Sequence, residues 1–198
     1  MKGAVKILIG LLMLITVVTG YAPTPQYLVE FTCISNAFGG LLLTVDGILN
    51  LKGKQLPFFL YSNAAAGIFF VFLFCLGSFS GLFNINYSGA FFFLHAVNPV
   101  LFILCYIIAD KDVVTRTWKR LLVTPGLVMA YLLFDYILGN YRGYFVYRFF
   151  EPAELKLLYA VFIVTIVYLI ILLLGWALLA LNHLAHKNSG SKTTTMRT

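Results

Sequence analysis

Apolar residues fill six stretches of the chain, each close to the roughly 17–25 residues needed to cross a bilayer as a helix. They fall at about Ala4–Gly20, Tyr27–Asn50, Phe58–Phe83, Gly89–Ala109, Leu121–Leu138 and Leu157–Leu181. Short polar or proline-bearing breaks separate them. Ala22-Pro23-Thr24-Pro25 ends the first stretch, and Asn84-Ile85-Asn86-Tyr87-Ser88-Gly89 makes a polar turn after the third. The pattern predicts an all-α polytopic membrane bundle of six transmembrane helices over residues 1–186. A Ser/Thr/Lys-rich tail, 187–198, is expected to be disordered. Lys2, Lys6, an apolar run and Gly20-Tyr21-Ala22 also fit a cleaved signal, which would leave five spans.

Polar positions inside the apolar stretches carry the functional information. Thr32, Ser35, Asn36, Gly39, Leu43 and Asp46 recur at i, i+3, i+4, i+7, i+11 and i+14, one face of one helix. Hydrocarbon cannot satisfy such groups, so this face is expected to line the bundle interior or a wet cavity. In the fourth stretch His95, Asn98, Pro99 and Phe102 share a face, and Pro99 is expected to kink the helix one turn past His95. Tyr131 and Asp135 share a face of the fifth. Counting from the predicted helix starts puts Thr32 and His95 roughly 8–9 Å below the same border. Asn36, Asn98 and Asp135 lie at similar depth. Asp46 falls further down the stripe, where Lys52 and Lys54 are its expected partners.

Composition agrees with the pattern. Of 198 residues, 61% are hydrophobic and 11% charged, too few charges to cover a soluble surface of this size. The net charge of +7 would suit nucleic acid, but its distribution follows a membrane instead. Lys2, Lys6, Lys52, Lys54, Lys111, Arg116, Lys119, Arg120, Lys187, Lys192 and Arg197 all fall at the termini or in the second and fourth connections. Arg142, Arg148 and Lys156 occupy the fifth, and the first and third have none. Both termini are thus expected in the cytosol, as in a multi-pass plasma-membrane protein. Cys33, Cys75 and Cys105 lie in apolar stretches without metal spacing or a disulfide framework.

Several local patterns read as packing or interface features. Gly77 and Gly81 have the spacing that lets helices approach closely. The loop Gly139–Pro152, with Arg142 and Arg148 among Tyr and Phe, suits the headgroup layer as a cap over the bundle mouth. The sixth stretch is apolar all round and is expected to form a lipid-facing wall. His183 and His186 sit i, i+3 just past it at the cytosolic interface, where a metal site is the minor reading. No metal or other cofactor is expected, since Walker A, HExxH and GxGxxG are all missing from the sequence.

Thr32 and His95 together suggest nucleophilic chemistry. A threonine hydroxyl needs a base to take its proton, and a neutral imidazole buried in a membrane can do so. Asp135 is a candidate to orient that imidazole, with Arg142 competing for the carboxylate. Asn36 or Asn98 are candidates to bind an oxyanion. Against this stands the usual habit of a helical threonine, a bond back to the carbonyl four residues earlier, here Leu28.

Phe31-Thr32-x-x-Ser35-Asn36, Leu94-His95-x-x-Asn98-Pro99, then Pro125 followed by Tyr131 and a Tyr/Phe-rich loop occur in this order. The arrangement, over roughly Phe31 to Pro152, resembles the androgen-inducible (FAR-17a-like) integral membrane protein family. Its animal members are atypical threonine hydrolases that cleave fatty acid esters of hydroxy fatty acids with an intramembrane threonine and histidine. The resemblance implies a lipid substrate and puts those roles on Thr32 and His95. Two departures mark the chain: Val146-Tyr147-Arg148-Phe149 stands where a Tyr-Pro-Phe-like turn is expected, and the short loops look like a microbial member. The other class that fits the polar stripe is a non-enzymatic membrane protein binding or carrying a lipid or small solute, although no internal repeat of the carrier kind is present.

Overall fold

The computed structural model of the chain describes residues 3–79, 88–108, 118–147, 150 and 157–191. Six helices within them are long and apolar enough to cross a membrane, and no strand occurs among the described residues. These are α1 (Gly3–Tyr21), α2 (Phe31–Leu51), α3 (Phe58–Phe79), α4 (Ala90–Ile108), α5 (Gly126–Arg142, whose span starts at Leu121) and α6 (Leu157–Ser191). The chain is a multi-pass integral membrane protein. Gly81, most of the 84–89 turn, Lys111, Arg116, Arg148, Phe149, Pro152 and residues 192–198 lie outside the described residues, as does the side chain of His186.

The closest pairing joins α1 and α2, and glycine makes it possible. A methyl group on Gly40 would sit 2.9 Å from the Gly10 carbonyl oxygen, and one on Gly47 2.7 Å from that of Gly3. Seven residues separate the glycines on each helix, so the two backbones meet along a small-residue seam of the membrane type. Gly39 makes room for Ile68 of α3, Phe102 of α4 and the tip of Met13 of α1. The adjacent glycines Gly39 and Gly40 thus serve different helix contacts.

A buried charge locks the α1–α2 seam at one end. Lys6 and Asp46 are fully buried and form an ion pair at 2.5 Å. The Asp46 carboxylate also accepts from the Tyr61 hydroxyl at 2.6 Å, the Asn50 amide at 2.8 Å and the Leu56 N–H at 2.8 Å. This corrects the expectation that Lys52 or Lys54 would pair with Asp46. Helix α2 ends at Leu51, and the chain past the turn turns back to give Asp46 the Leu56 N–H, while Lys52 and Lys54 stay exposed. α1 is integral to the bundle, since it supplies the cation.

Elsewhere, single polar side chains bridge helices. Asn63 of α3 accepts the Leu127 N–H at 2.9 Å, satisfying a donor at the start of α5. Asn182 of α6 donates to the Tyr106 and Ile107 carbonyls at 2.8 and 3.2 Å. Most of α6 faces outward, as its sequence implies. Its inward stripe, Val167, Ile171, Leu178 and Asn182, docks it on the core.

Removing one partner of the Lys6–Asp46 pair leaves a charge buried alone. Lys6→Met or Asp46→Asn is expected to cost on the order of 3–5 kcal/mol each. The double variant should lose less than the sum of the two. Thermal melts of the detergent-purified chain measure this; additive losses would refute the coupling.

Candidate active site

Thr32 and His95 meet at the opposite end of the bundle from Lys6. The Thr32 Oγ1 lies 3.5 Å from the His95 Nε2. The Nδ1 of His95 is 2.9 Å from the Phe91 carbonyl oxygen. A carbonyl only accepts, so Nδ1 carries the hydrogen and Nε2 turns its lone pair toward the threonine hydroxyl. The Phe91 ring stacks beside the imidazole, with centroids 6.2 Å apart.

The local path of each helix explains why the pair meets. Pro25–Val29 forms a 3-10 turn and Glu30 is extended, so α2 starts only at Phe31. Thr32 is therefore in the first turn of α2, not five residues deep as the hydropathy boundary suggests. Leu28 sits in the preceding turn and does not stack beneath Thr32, which removes the expected back-bond. The Glu30 carboxylate accepts from the Tyr21 hydroxyl at 2.8 Å, tying the end of α1 to the start of α2. Burial raises the Glu30 pKa, and the Tyr21 bond opposes that rise.

In α4 the residues Phe93–Val97 form a π turn around His95, where a kink beyond it was expected. Pro99 is the physical cause. It has no N–H for the His95 carbonyl in an α-helix, and none for the Leu94 carbonyl in a π-helix. The Asn98 N–H donates to the Phe93 carbonyl, so Leu94 O loses both backbone donors. Asn36 fills the vacancy: its Nδ2 donates to Leu94 O at 3.1 Å and to Thr32 O at 2.8 Å. Asn98 Nδ2 donates in turn to Asn36 Oδ1 at 3.0 Å and to the Thr16 Oγ1 of α1 at 2.8 Å. Both asparagines are fully buried.

This network assigns the supporting residues differently from the expectation. Both amide hydrogens of Asn36 and both of Asn98 are already bonded, so neither has one left for an oxyanion. They hold helices in register instead. Asp135 makes no described bond to His95, whose Nδ1 is held by the Phe91 carbonyl. Nor does Arg142 take the carboxylate: Asp135 Oδ1 accepts the Val146 N–H at 3.0 Å. Ser35 donates to the Thr32 carbonyl at 3.3 Å and is a second brace on that turn.

The loop after α5, which its Tyr, Phe and Arg content marks as an interfacial cap, also reaches Thr32, and nothing in the sequence signals that contact. Gly143 adopts φ +78°, a left-handed cap, and its N–H bonds the Gly139 carbonyl at 2.8 Å. A side chain at Gly139 would collide with the Phe145 ring. Phe145, Tyr136 and Phe150 then pack edge to face and stacked. Val146 is held by Asp135, and Tyr147 follows, its ring 6.1 Å from Tyr131. Its hydroxyl oxygen accepts the Thr32 N–H at 3.4 Å. Burial raises the Tyr147 pKa to about 12 despite its contact with Thr32, so the phenol stays protonated at neutral pH.

No three His, Cys, Asp or Glu side chains converge as a metal site among the described residues. No protein-family model matches the chain, and no match was found among curated proteins or solved structures.

The role of Asp135 in closing the loop is testable by its chemistry. Asp135→Asn keeps an oxygen for the Val146 N–H and should fold like the parent. Asp135→Ala should lose about 1–3 kcal/mol and expose 143–147 to limited proteolysis. Equal protease resistance of the alanine variant and the parent would remove this role.

Proposed function

We propose that the protein is an intramembrane lipid ester hydrolase, with Thr32 as nucleophile and His95 as general base and acid. One observation carries this reading: a threonine hydroxyl faces the unprotonated nitrogen of an imidazole whose other nitrogen is held by a backbone carbonyl. The support is that of a nucleophile–base–orienter arrangement, with a carbonyl in the third place. Its 3.5 Å separation is long for a hydrogen bond, as such contacts often are before substrate binds.

In the reaction, Thr32 Oγ1 forms a bond to the ester carbonyl carbon while its proton passes to His95 Nε2. The carbonyl π pair moves onto oxygen. Collapse breaks the bond to the alcohol oxygen, which leaves with the proton from His95. Water then attacks the acyl-threonine, giving a proton to His95, and the hydroxyl of Thr32 is restored as the acid departs. Every proton is accounted for within the pair, and the chain's own residues perform each step.

The motif order shared with the androgen-inducible family supports the same roles and a fatty acid ester of a hydroxy fatty acid as substrate. The Lys/Arg distribution supports a site facing the extracytosolic side of the plasma membrane.

A fluorophosphonate probe added to membranes should label the wild-type chain and not Thr32→Ala. His95→Gln should slow labelling by roughly 10²–10⁴-fold. Equal labelling of wild type and Thr32→Ala would remove the nucleophile and leave a non-enzymatic lipid-binding protein as the better reading.

A further inference from the structure

Resting on the Thr32–His95 reading, we propose that Tyr21 of α1 is a positioning residue for the reaction: it sets the spacing of nucleophile and base by holding the support of each. Its hydroxyl donates to the Glu30 carboxylate at 2.8 Å. Its ring packs edge to face on Phe91, with centroids 5.6 Å apart. Glu30 is the N-cap of α2, two residues before Thr32. Phe91 holds His95 twice, through the carbonyl that fixes Nδ1 and through the ring stacked beside the imidazole. One side chain therefore reaches both halves of the pair.

The two helix starts need such a tie. Thr32 is in the first turn of α2 and His95 lies near the start of α4, where the helical ladder alone leaves backbone groups unpaired. Glu30 does not cap its own helix with its side chain. Its backbone takes the Ile34 N–H at 3.1 Å and gives its own N–H to Tyr27, while the carboxylate turns across to α1. On the α4 side, Gly20 lets the end of α1 come close: a methyl group there would meet Leu94 at 3.0 Å and Ala90 at 3.3 Å. Tyr21 is fully buried, so its ring cannot swing away from Phe91 without opening the bundle. Asn36 and Asn98 clamp α2 and α4 one turn deeper, and Tyr21 clamps them at their ends. A phenylalanine would fill the same space. The hydroxyl adds a bond of modest effect on stability but fixed direction. With Thr32 Oγ1 already 3.5 Å from His95 Nε2, a shift of the α2 start by a fraction of an ångström decides whether the proton can pass.

The experiment uses the full-length chain in detergent, with p-nitrophenyl octanoate as the ester. Tyr21→Phe, which keeps the ring on Phe91 and removes only the hydroxyl, should lower kcat roughly 10- to 100-fold with KM little changed. Glu30→Ala should do the same, whereas Glu30→Gln, which keeps an oxygen for the hydroxyl, should stay within about threefold of wild type. Since both losses break one bond, the double variant Tyr21→Phe/Glu30→Ala should match the slower single variant within about threefold. Asn182→Leu loosens the bundle at the far end of α4; it should lower the melting temperature and leave kcat within about threefold of wild type. A kcat loss in Asn182→Leu equal to that in Tyr21→Phe would reduce the effect to stability and overturn the proposal, as would losses that multiply in the double variant. If Thr32→Ala is inactive while Tyr21→Phe keeps wild-type kcat, the Tyr21 role is overturned and the nucleophile stands. If Thr32→Ala turns over normally, the nucleophile itself fails and this inference with it. Should Tyr21→Phe not yield folded protein, Glu30→Gln against Glu30→Ala decides the matter, and equal kcat in the two would overturn the proposal.

Discussion

The hydrogen bond between the Asn98 amide and the Asn36 oxygen, 3.0 Å long and sealed from solvent, sets the relation of three helices. Asn98 also holds Thr16 of α1, and Asn36 also holds the Leu94 carbonyl on α4 and the Thr32 carbonyl on α2. Within a bilayer none of these groups has water to fall back on. Sliding α4 by one residue along α2 would strand several of them together. The same register brings His95 to Thr32, so this polar network and the candidate chemistry depend on one alignment of α2 and α4.

The π turn is the local consequence of that arrangement. Proline alone would leave the Leu94 carbonyl unsatisfied, a costly state in an apolar interior. An asparagine on the facing helix answers it. Pro99 and Asn36 are 63 positions apart, yet each accounts for the other: the proline opens the turn and the asparagine closes the vacancy it leaves. The widened turn also lets the His95 side chain reach back to the Phe91 carbonyl while Nε2 still faces α2.

Much of this was legible in the sequence, and the reason is the bilayer. Apolar length alone separates six helices, and polar residues in such helices must turn inward, which puts Thr32, Asn36, His95 and Asn98 on facing surfaces. What escaped depends on details that hydropathy does not register. Glu30 is extended and Pro25–Val29 is a 3-10 turn, so the apolar run starts four residues before its helix. Asp46 has two lysines close by in sequence, but its partner is Lys6, forty residues away, because the α1–α2 glycine seam brings that side chain alongside. Tyr147 looked like one more ring in an interfacial loop. Its contact with Thr32 depends on Asp135 and Gly139 shaping that loop, and neither leaves a motif.

The two polar centres of the bundle differ in a way that bears on function. Asp46 receives four donors, all within 2.8 Å, and nothing in that cluster is left to react. At the other end the Thr32 hydroxyl has a long contact to an imidazole and a phenol beside it. A saturated network rigidifies, whereas one held slightly open can tighten around a reacting group. The orienting group for His95 sharpens the difference. A neutral carbonyl fixes the imidazole's tautomer as well as a carboxylate would, but it does less to stabilise the imidazolium that forms as the proton arrives. In the proposed reaction more of the stabilisation must then fall on the developing oxyanion.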